Sequence, residues 1–209
     1  QVTDRPQWMT VRGGSRQYVR CIVQQLDDAR LNTPVLGVKR GEAGALVRTA
    51  SGLEHFDQVV FACHSDQALR LLGADATPAE AQVLGAIGYQ PNWAVLHTDT
   101  SLLPAKRSAW SAWNYESSTA GGKAGVCLHY LLNRLQPLPW QRPVMVSLNP
   151  VRAPRPETVL RSFEVDHPIF DRGAIAAQRR LPEIQGRRRT WFCGAWAGFG
   201  FHEDGLKAG

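Results

Sequence analysis

Between residues 92 and 166 the chain repeats one pattern: a run of β-branched and aromatic residues, then a turn rich in Pro, Gly or Ser. The runs are "NWAVLHTD", "SAWSAWNYES", "GVCLHYLLNRLQ", "VMVSLN" and "TVLRSFEVD", with breaks such as "PLPWQRP". Successive strands joined by short turns favour an antiparallel sheet. The next apolar run differs. After a helical segment, "RGAIAAQRRL", comes "TWFCGA", short and apolar throughout. That is the pattern of a strand buried on both faces in the parallel part of an α/β sheet. It is expected beside "VVFAC", far upstream, so the middle block reads as an insertion between two pieces of another domain. Boundaries are expected near residues 74 and 182.

The upstream piece carries its own signals. "GGSRQYVRCIVQQL" reads as a helix opened by Gly13-Gly14 and capped by Ser15. Tyr18, Val19, Ile22, Val23 and Leu26 form one stripe at helical spacing. "TPVLGVKRG" and "ALVRTASG" flank "EAG", a hairpin signal, and "HFDQVVFAC" completes a small meander ending in a buried strand. "SDQALRLLG" is a short helix with Ser65 as its cap. "TPAEAQVLGAI" places Thr77 at the cap, Pro78 at the first helical position and Glu80 three residues after the cap, a capping box. The expected fold is mixed α+β. Residues 1–74 are a helix and meander, 75–182 an antiparallel-sheet domain, and 183–209 a closing strand, loop and helix.

Composition removes several classes. The chain has 209 residues, 44% apolar and 20% charged, enough for a packed core and too apolar for disorder. Its net charge is +6, and Arg187-Arg188-Arg189 reads as a solvated turn. With no nucleic-acid-reading motif beside it, this charge does not point to DNA or RNA. No apolar run reaches the ~18 residues of a membrane helix, and "QVTDRPQWM" has no signal core. The four cysteines, Cys21, Cys63, Cys127 and Cys193, are scattered among apolar neighbours without CxxC or zinc spacing. They are expected to be buried and reduced, which suits the cytoplasm.

The last stretch, "TWFCGAWAGFGFHEDGLKAG", joins a strand, a glycine-aromatic loop and an acidic helix start. Ala197-Gly198-Phe199-Gly200 would let backbone amides approach a ligand, and Glu203 and Asp204 sit where a helix dipole favours acids. An ordinary βα turn and an anion-stabilising site both fit. His97, His129 and His167 read as satisfied structural groups.

This stretch resembles the C-terminal flavin-binding motif of the FAD-dependent amine oxidase superfamily, which includes monoamine oxidases, protoporphyrinogen oxidases and phytoene desaturases. Phe192, Gly194, Gly200, Glu203, Gly205 and Gly209 follow its "FAG…G-x-x-E-G-A-x-x-S-G" order, displaced by one residue at Glu203-Asp204-Gly205. "MTVRGGSRQYV" is similar to the family's "GG" helix, and the run from "TPVLGVKRG" to "FDQVVFAC" to its meander. A bacterial subgroup of predicted NAD/FAD-binding, amine-oxidase-like proteins shares "HTD", "WSAWNY", "NRLQ", "HPIF" and "GAWAGFGFHEDG".

The resemblance implies an FAD-dependent oxidoreductase that oxidises a C–N or C–H bond by hydride transfer to flavin. Alternatives are a flavin-dependent desaturase or isomerase of a lipid or polyene, and a ligand- or partner-binding module without FAD. It implies that Val35 and Val38 pass the adenine and that Ala62, Cys63 and His64 border the dinucleotide. Gly194, Ala195, Trp196, Gly198, Gly200, Phe201, His202 and Glu203 would lie against the isoalloxazine and ribityl-pyrophosphate. His202 becomes a candidate base or flavin-tuning group. Trp110, Trp113, Asn114 and Tyr115 become candidate contacts to a small or lipid-like substrate.

Departures matter too. No G-x-G-x-x-G is present, so the chain looks like the C-terminal half of a longer flavoprotein whose βαβ unit lies upstream. This half alone is expected not to retain FAD and to self-associate through the surface left by the other. Ala195 stands where the family often has an acid. "GYQPNWAV" lacks the Lys that monoamine oxidases place there.

Overall fold

The structure, a computed structural model, describes residues 9–118 and 125–209. In chain order its main elements are α1 (Arg16–Val23), β1 (Gly37–Arg40), β2 (Ala45–Thr49), β3 (Gly52–Phe56), β4 (Val59–Phe61), α2 (Ser65–Leu72) and α3 (Pro78–Gly85). Then follow β5 (Gly88–His97), β6 (Trp113–Ser118), β7 (Gly125–Leu131), α4 (Leu132–Leu135), β8 (Met145–Leu148) and β9 (Val159–Ile169). The chain closes with α5 (Arg172–Arg180), β10 (Thr190–Phe192) and α6 (His202–Ala208). Helix and antiparallel sheet are mixed, as expected. Among the described residues no helix is long and apolar enough to cross a membrane.

The chain forms two compact units, Gln1–Ala29 with Pro91–Val165, and Arg30–Gln90 with Asp166–Gly209. The boundary read from sequence at 74 falls inside the second unit, where α3 packs on α2 and α5, and that at 182 falls inside it as well.

The first unit is built on a five-stranded sheet in the order β6-β7-β8-β5-β9. Its β6-β7-β8-β5 pairs are antiparallel. Register decides which residues share its buried face. Asn114 pairs with His129, His129 with Ser147, Val95 with Ser147, and His97 with Met145. Side chains alternate along a strand, so Asn114, His129, Ser147 and His97 point to one side. All four are buried there. The apolar part of this core is small, with Leu103, Leu131 and Met145 packed against Trp110. α1 ends at Val23, so it carries Tyr18, Val19, Ile22 and Val23 of the expected stripe while Leu26 lies beyond it, and all five are exposed. Ser15 occupies the cap position without a side-chain cap bond, since its backbone is already helical.

The second unit holds the larger core, centred on Phe61, Leu72, Val83, Leu84, Ile184 and Phe192. β1, β2 and β3 form the expected antiparallel meander. "HFDQVVFAC" divides: the chain breaks at Asp57 and Gln58, and β4 leaves the meander to pair parallel with β10. The expected return of "TWFCGA" to "VVF" is therefore present. Burial on both faces is not, because among the described residues two strands pair here and Trp191 keeps 43% of its surface.

Thr77 caps α3 as read from sequence: its hydroxyl accepts the Glu80 N–H at 3.3 Å, and Glu80 accepts the Thr77 N–H at 2.7 Å. Ser65 does not cap α2; His64 takes that position and Ser65 is the first helical residue. The unforeseen feature is Arg40, whose side chain is 0% exposed. It donates to Glu80 Oε2 at 2.9 Å, to Asp75 Oδ2 at 2.8 Å and to Thr190 Oγ1 at 3.3 Å. Arg188 adds a bond to Asp75 Oδ1 at 2.9 Å and one to the Arg40 carbonyl at 2.8 Å. Burial alone would raise the Asp75 and Glu80 carboxyls, but the Arg40 hydrogen bonds outweigh it and hold both below the usual carboxylate range.

Candidate functional site

β4 and β10 end side by side, with Phe61 and Phe192 stacked at 5.4 Å. Beyond them the two segments stay together: Cys193 N–H donates to Phe61 O, and Trp196 Nε1 to Cys63 O, both at 2.9 Å. Parallel strands that end together leave a crevice at their carboxyl ends, where α/β sheets hold ligands. Here that crevice is a hollow of about 430 Å³.

Seven of the residues singled out from sequence line it: Ala62, Cys63, His64, Gly194, Ala195, Trp196 and Gly200. Asp166, Pro168, Phe170 and Gln67, not singled out from sequence, line it too, with Phe199 of the glycine loop and His167, read from sequence as a structural group. The signal for part of that second group was the quoted "HPIF". Gly194 has φ +149, and a Cβ there would stand 2.7 Å from Trp196 Nε1. Gly200 has φ +87, and its Cβ would touch Phe170 at 3.6 Å. Gln178 of α5 fixes the loop through Nε2, donating to Trp196 O at 2.9 Å and Gly198 O at 2.6 Å. The His64 ring stacks on Tyr89 at 4.5 Å, and the Tyr89 hydroxyl accepts the Ser65 N–H at 3.0 Å. His64 Nδ1 and Asp66 Oδ1 face each other at 3.9 Å, on side chains that are 37% and 36% exposed.

Other expectations fare differently. Val38 is buried in the apolar core and Val35 is exposed; neither lines the hollow. Gly198 borders a separate hollow with Leu181 and Lys207. Phe201, His202 and Glu203 are exposed and lie outside it. The loop amides are not open to a ligand. Gly198 and Gly200 donate to Ala195 O at 3.1 and 3.0 Å, and Phe199 and Phe201 both donate to Asp204 Oδ2 at 3.0 Å. Asp204, in the first turn of α6, thus supplies the negative charge from within.

In the other unit, Trp113, Asn114 and Tyr115 line a hollow of about 520 Å³ with Glu116, His129 and Arg152. Trp110 lines a neighbouring hollow, its Nε1 donating to Pro104 O at 2.8 Å. Asn114 is occupied structurally, accepting the Ser111 N–H at 3.0 Å and donating to Ser111 O at 2.7 Å. Behind the hollow runs a buried polar chain. The Asp99 N–H donates to His97 Nδ1 at 3.1 Å, which leaves Nε2–H to donate to Ser147 Oγ at 2.7 Å. Ser147 then donates to His129 Nδ1 at 2.6 Å, and His129 Nε2–H to Glu116 Oε2 at 3.1 Å. Both ring nitrogens of each histidine thus have partners, as read from sequence. Burial and the neighbouring His129 lower the His97 pKa. Burial would raise Glu116, but bonds from Arg152 and His129 hold it down. Burial pushes the Cys127 thiol up to about 11. Cys21, expected to be buried, is exposed on α1. Among the described residues no cluster could hold a metal ion.

Residues 1–134 match the sequence family described as flavin containing amine oxidoreductase. No curated protein sequence matches the chain. Solved structures similar to it include a fatty acid isomerase from P. acnes that produces CLA, at TM-score 0.62 and 14% identity, covering 93% of this chain and 50% of that one. Wild-type putrescine oxidase bound to putrescine gives TM-score 0.60 and 14% identity, covering 94% and 51%. Cyclohexylamine oxidase from Brevibacterium oxydans gives 0.55 and 14%, covering 84% and 46%. The chain thus spans about half the length of each.

Proposed function

Because the chain belongs to the flavin containing amine oxidoreductase family, we propose that it is the C-terminal portion of an FAD-dependent oxidoreductase of the amine oxidase type. The observation that carries this is the hollow at the carboxyl ends of β4 and β10. Its small lining residues, Ala62, Gly194, Ala195 and Gly200, leave room for a flat group, and Trp196 and Phe199 offer rings beside it. The loop amides do not fit the role expected of them, since Asp204 and Ala195 already hold them.

In this reading the unit of Arg30–Gln90 and Asp166–Gly209 borders FAD, and the five-stranded unit takes a small or apolar substrate. When bound, FAD would accept the hydride removed from a C–N or C–H bond. The chain's own residues orient and enclose. Gln178 fixes the loop carbonyls, Gly200 keeps a side chain away from Phe170, and Tyr89 holds the His64 ring. A second reading, an isomerase or desaturase of an apolar chain, draws support from the structural likeness to the P. acnes fatty acid isomerase. Product analysis separates the two.

The test uses the full-length protein that contains this chain. Purified, it is expected to carry a flavin absorbance band, and Gly200→Val to lower flavin content and turnover together while the five-stranded unit stays folded. Unchanged flavin content and turnover in Gly200→Val would sink the reading. The 209-residue chain alone is expected to bind FAD weakly, as calorimetry would show.

A further inference from the structure

The five-stranded unit contains another hollow, of about 780 Å³, that the flavin reading does not use. Its floor is apolar: Leu96 from β5, Leu132 from α4, Val144, and Leu160 from β9, with Trp140 in its wall. Its rim carries Arg12, Arg16 and Arg142, and among the described residues no carboxylate lines it. Arg12 and Arg16 form no ion pair with any described residue, and Arg142 Nη2 donates to the neutral Thr98 hydroxyl at 2.8 Å. Three guanidiniums over an apolar floor create a positive potential that no described residue of the wall neutralises. α1 adds to it. Gly14 and Arg16, at the start of the helix, line the same hollow, and the first turn holds no acidic residue. The positive end of the helix dipole therefore opens toward it.

The wall is held in place. Asn133 Nδ2 donates to Trp140 O at 3.3 Å and Arg142 O at 3.0 Å, and its Oδ1 accepts the Val144 N–H at 2.8 Å. Gly13 and Gly14 have φ of +84 and +83, a conformation that residues with a Cβ rarely adopt. The volume lies within the roughly 300–1,000 Å³ typical of small-ligand sites.

We propose that this hollow binds an unbranched alkyl monocarboxylate, with the carboxylate among Arg12, Arg16 and Arg142 and the chain along the apolar floor. The chain supplies affinity through buried area, and the guanidiniums fix which end points outward. The site lies within the five-stranded unit, to which the reading above gives a small or apolar substrate; its test reads binding without flavin or turnover, so its failure is told apart from failure of that reading.

The test titrates the 209-residue chain with monomeric dodecanoate, dodecanol and butyrate, followed by calorimetry and by tryptophan emission. Dodecanoate is expected to bind and to shift the emission, a shift lost in Trp140→Phe while calorimetric binding persists. Dodecanol should bind about tenfold more weakly, the ratio expected for one charge-assisted hydrogen bond, and butyrate not measurably. Arg12→Ala combined with Arg16→Ala should bring dodecanoate down to the affinity of dodecanol, whereas Arg134→Ala, outside the hollow, should change nothing. All these arginines are exposed, so circular dichroism should be unaltered. If the double variant misfolds, Arg142→Ala alone carries the same expectation. Equal affinity for acid and alcohol, or arginine variants that bind like the parent, would overturn the proposal. So would adsorption to anionic lipid vesicles without binding of monomeric dodecanoate.

Discussion

Glu80→Ala should be among the most damaging single substitutions in the second unit. The Glu80 side chain is 1% exposed and receives two guanidinium nitrogens of Arg40, itself 0% exposed, plus the Thr77 N–H. Removing one partner of a buried ion pair costs about 3–5 kcal/mol, because the other charge is left without compensation. Asp75 still faces Arg40, which argues for the lower end, about 3 kcal/mol. Loss of the reciprocal cap on α3 adds about 1 kcal/mol. At about 2–4 °C per kcal/mol for a chain of this size, the sum of about 4 kcal/mol corresponds to a fall of roughly 8–16 °C in Tm. Glu80→Gln keeps an acceptor for Thr77 and should lose about half as much. Urea titration and thermal scans by near-ultraviolet circular dichroism would measure both. Arg180→Ala, which breaks the exposed pair with Glu183, is the control and should leave the melting and urea midpoints unchanged. A loss below about 1 kcal/mol in Glu80→Ala would refute the reasoning, since Arg40 would then have found another partner or reached water.

Glu80 and Asp75 have lowered folded pKa values, so their contribution is full above the ordinary carboxylate range and is lost as pH falls through it toward the folded values; Arg40→Met should flatten that acid limb. His97 has a lowered pKa as well, so the five-stranded unit should keep full stability above about pH 6.5 and weaken as pH falls below it; His97→Gln should reduce that slope, and an unchanged profile would exclude His97 as its source. Gly194→Ala places a methyl group against Trp196 at φ +149 and should cost about 1–2 kcal/mol, read from the urea midpoint with emission of Trp191 and Trp196. Cys127, with its thiol at about 11, should resist iodoacetamide in the folded protein while exposed Cys21 is alkylated, as peptide mass mapping would show.

What sequence made legible was mostly local. The α3 capping box joins residues three apart and follows from their identities alone. Strands in the middle block were readable because alternation is a short-range pattern, and it also places His129 and Ser147 on one face once register is known. Arg40 was not readable, since its partners lie 35 to 150 residues away and its own strand reads simply as a polar edge. The break at Asp57 was missed because apolar residues continue on both sides of it. Resemblance located seven residues of the β4–β10 hollow, but it could not reveal that Asp204 would close the loop amides, which depends on one rotamer in α6.

The Arg40–Thr190 bond and the β4–β10 pair also set an order of events at the ribosome. The two residues are 150 apart, so the second unit cannot finish its core until Thr190 has emerged. All strands of the five-stranded sheet are available earlier, since its last strand ends at Ile169. Closing a loop of this length costs only a few kcal/mol of entropy, growing as the logarithm of length, but the search is slow compared with local pairing. During that interval Phe61 and its neighbours in the unfinished core stay uncovered, and nascent chains are expected to meet chaperones through this segment rather than through the central sheet.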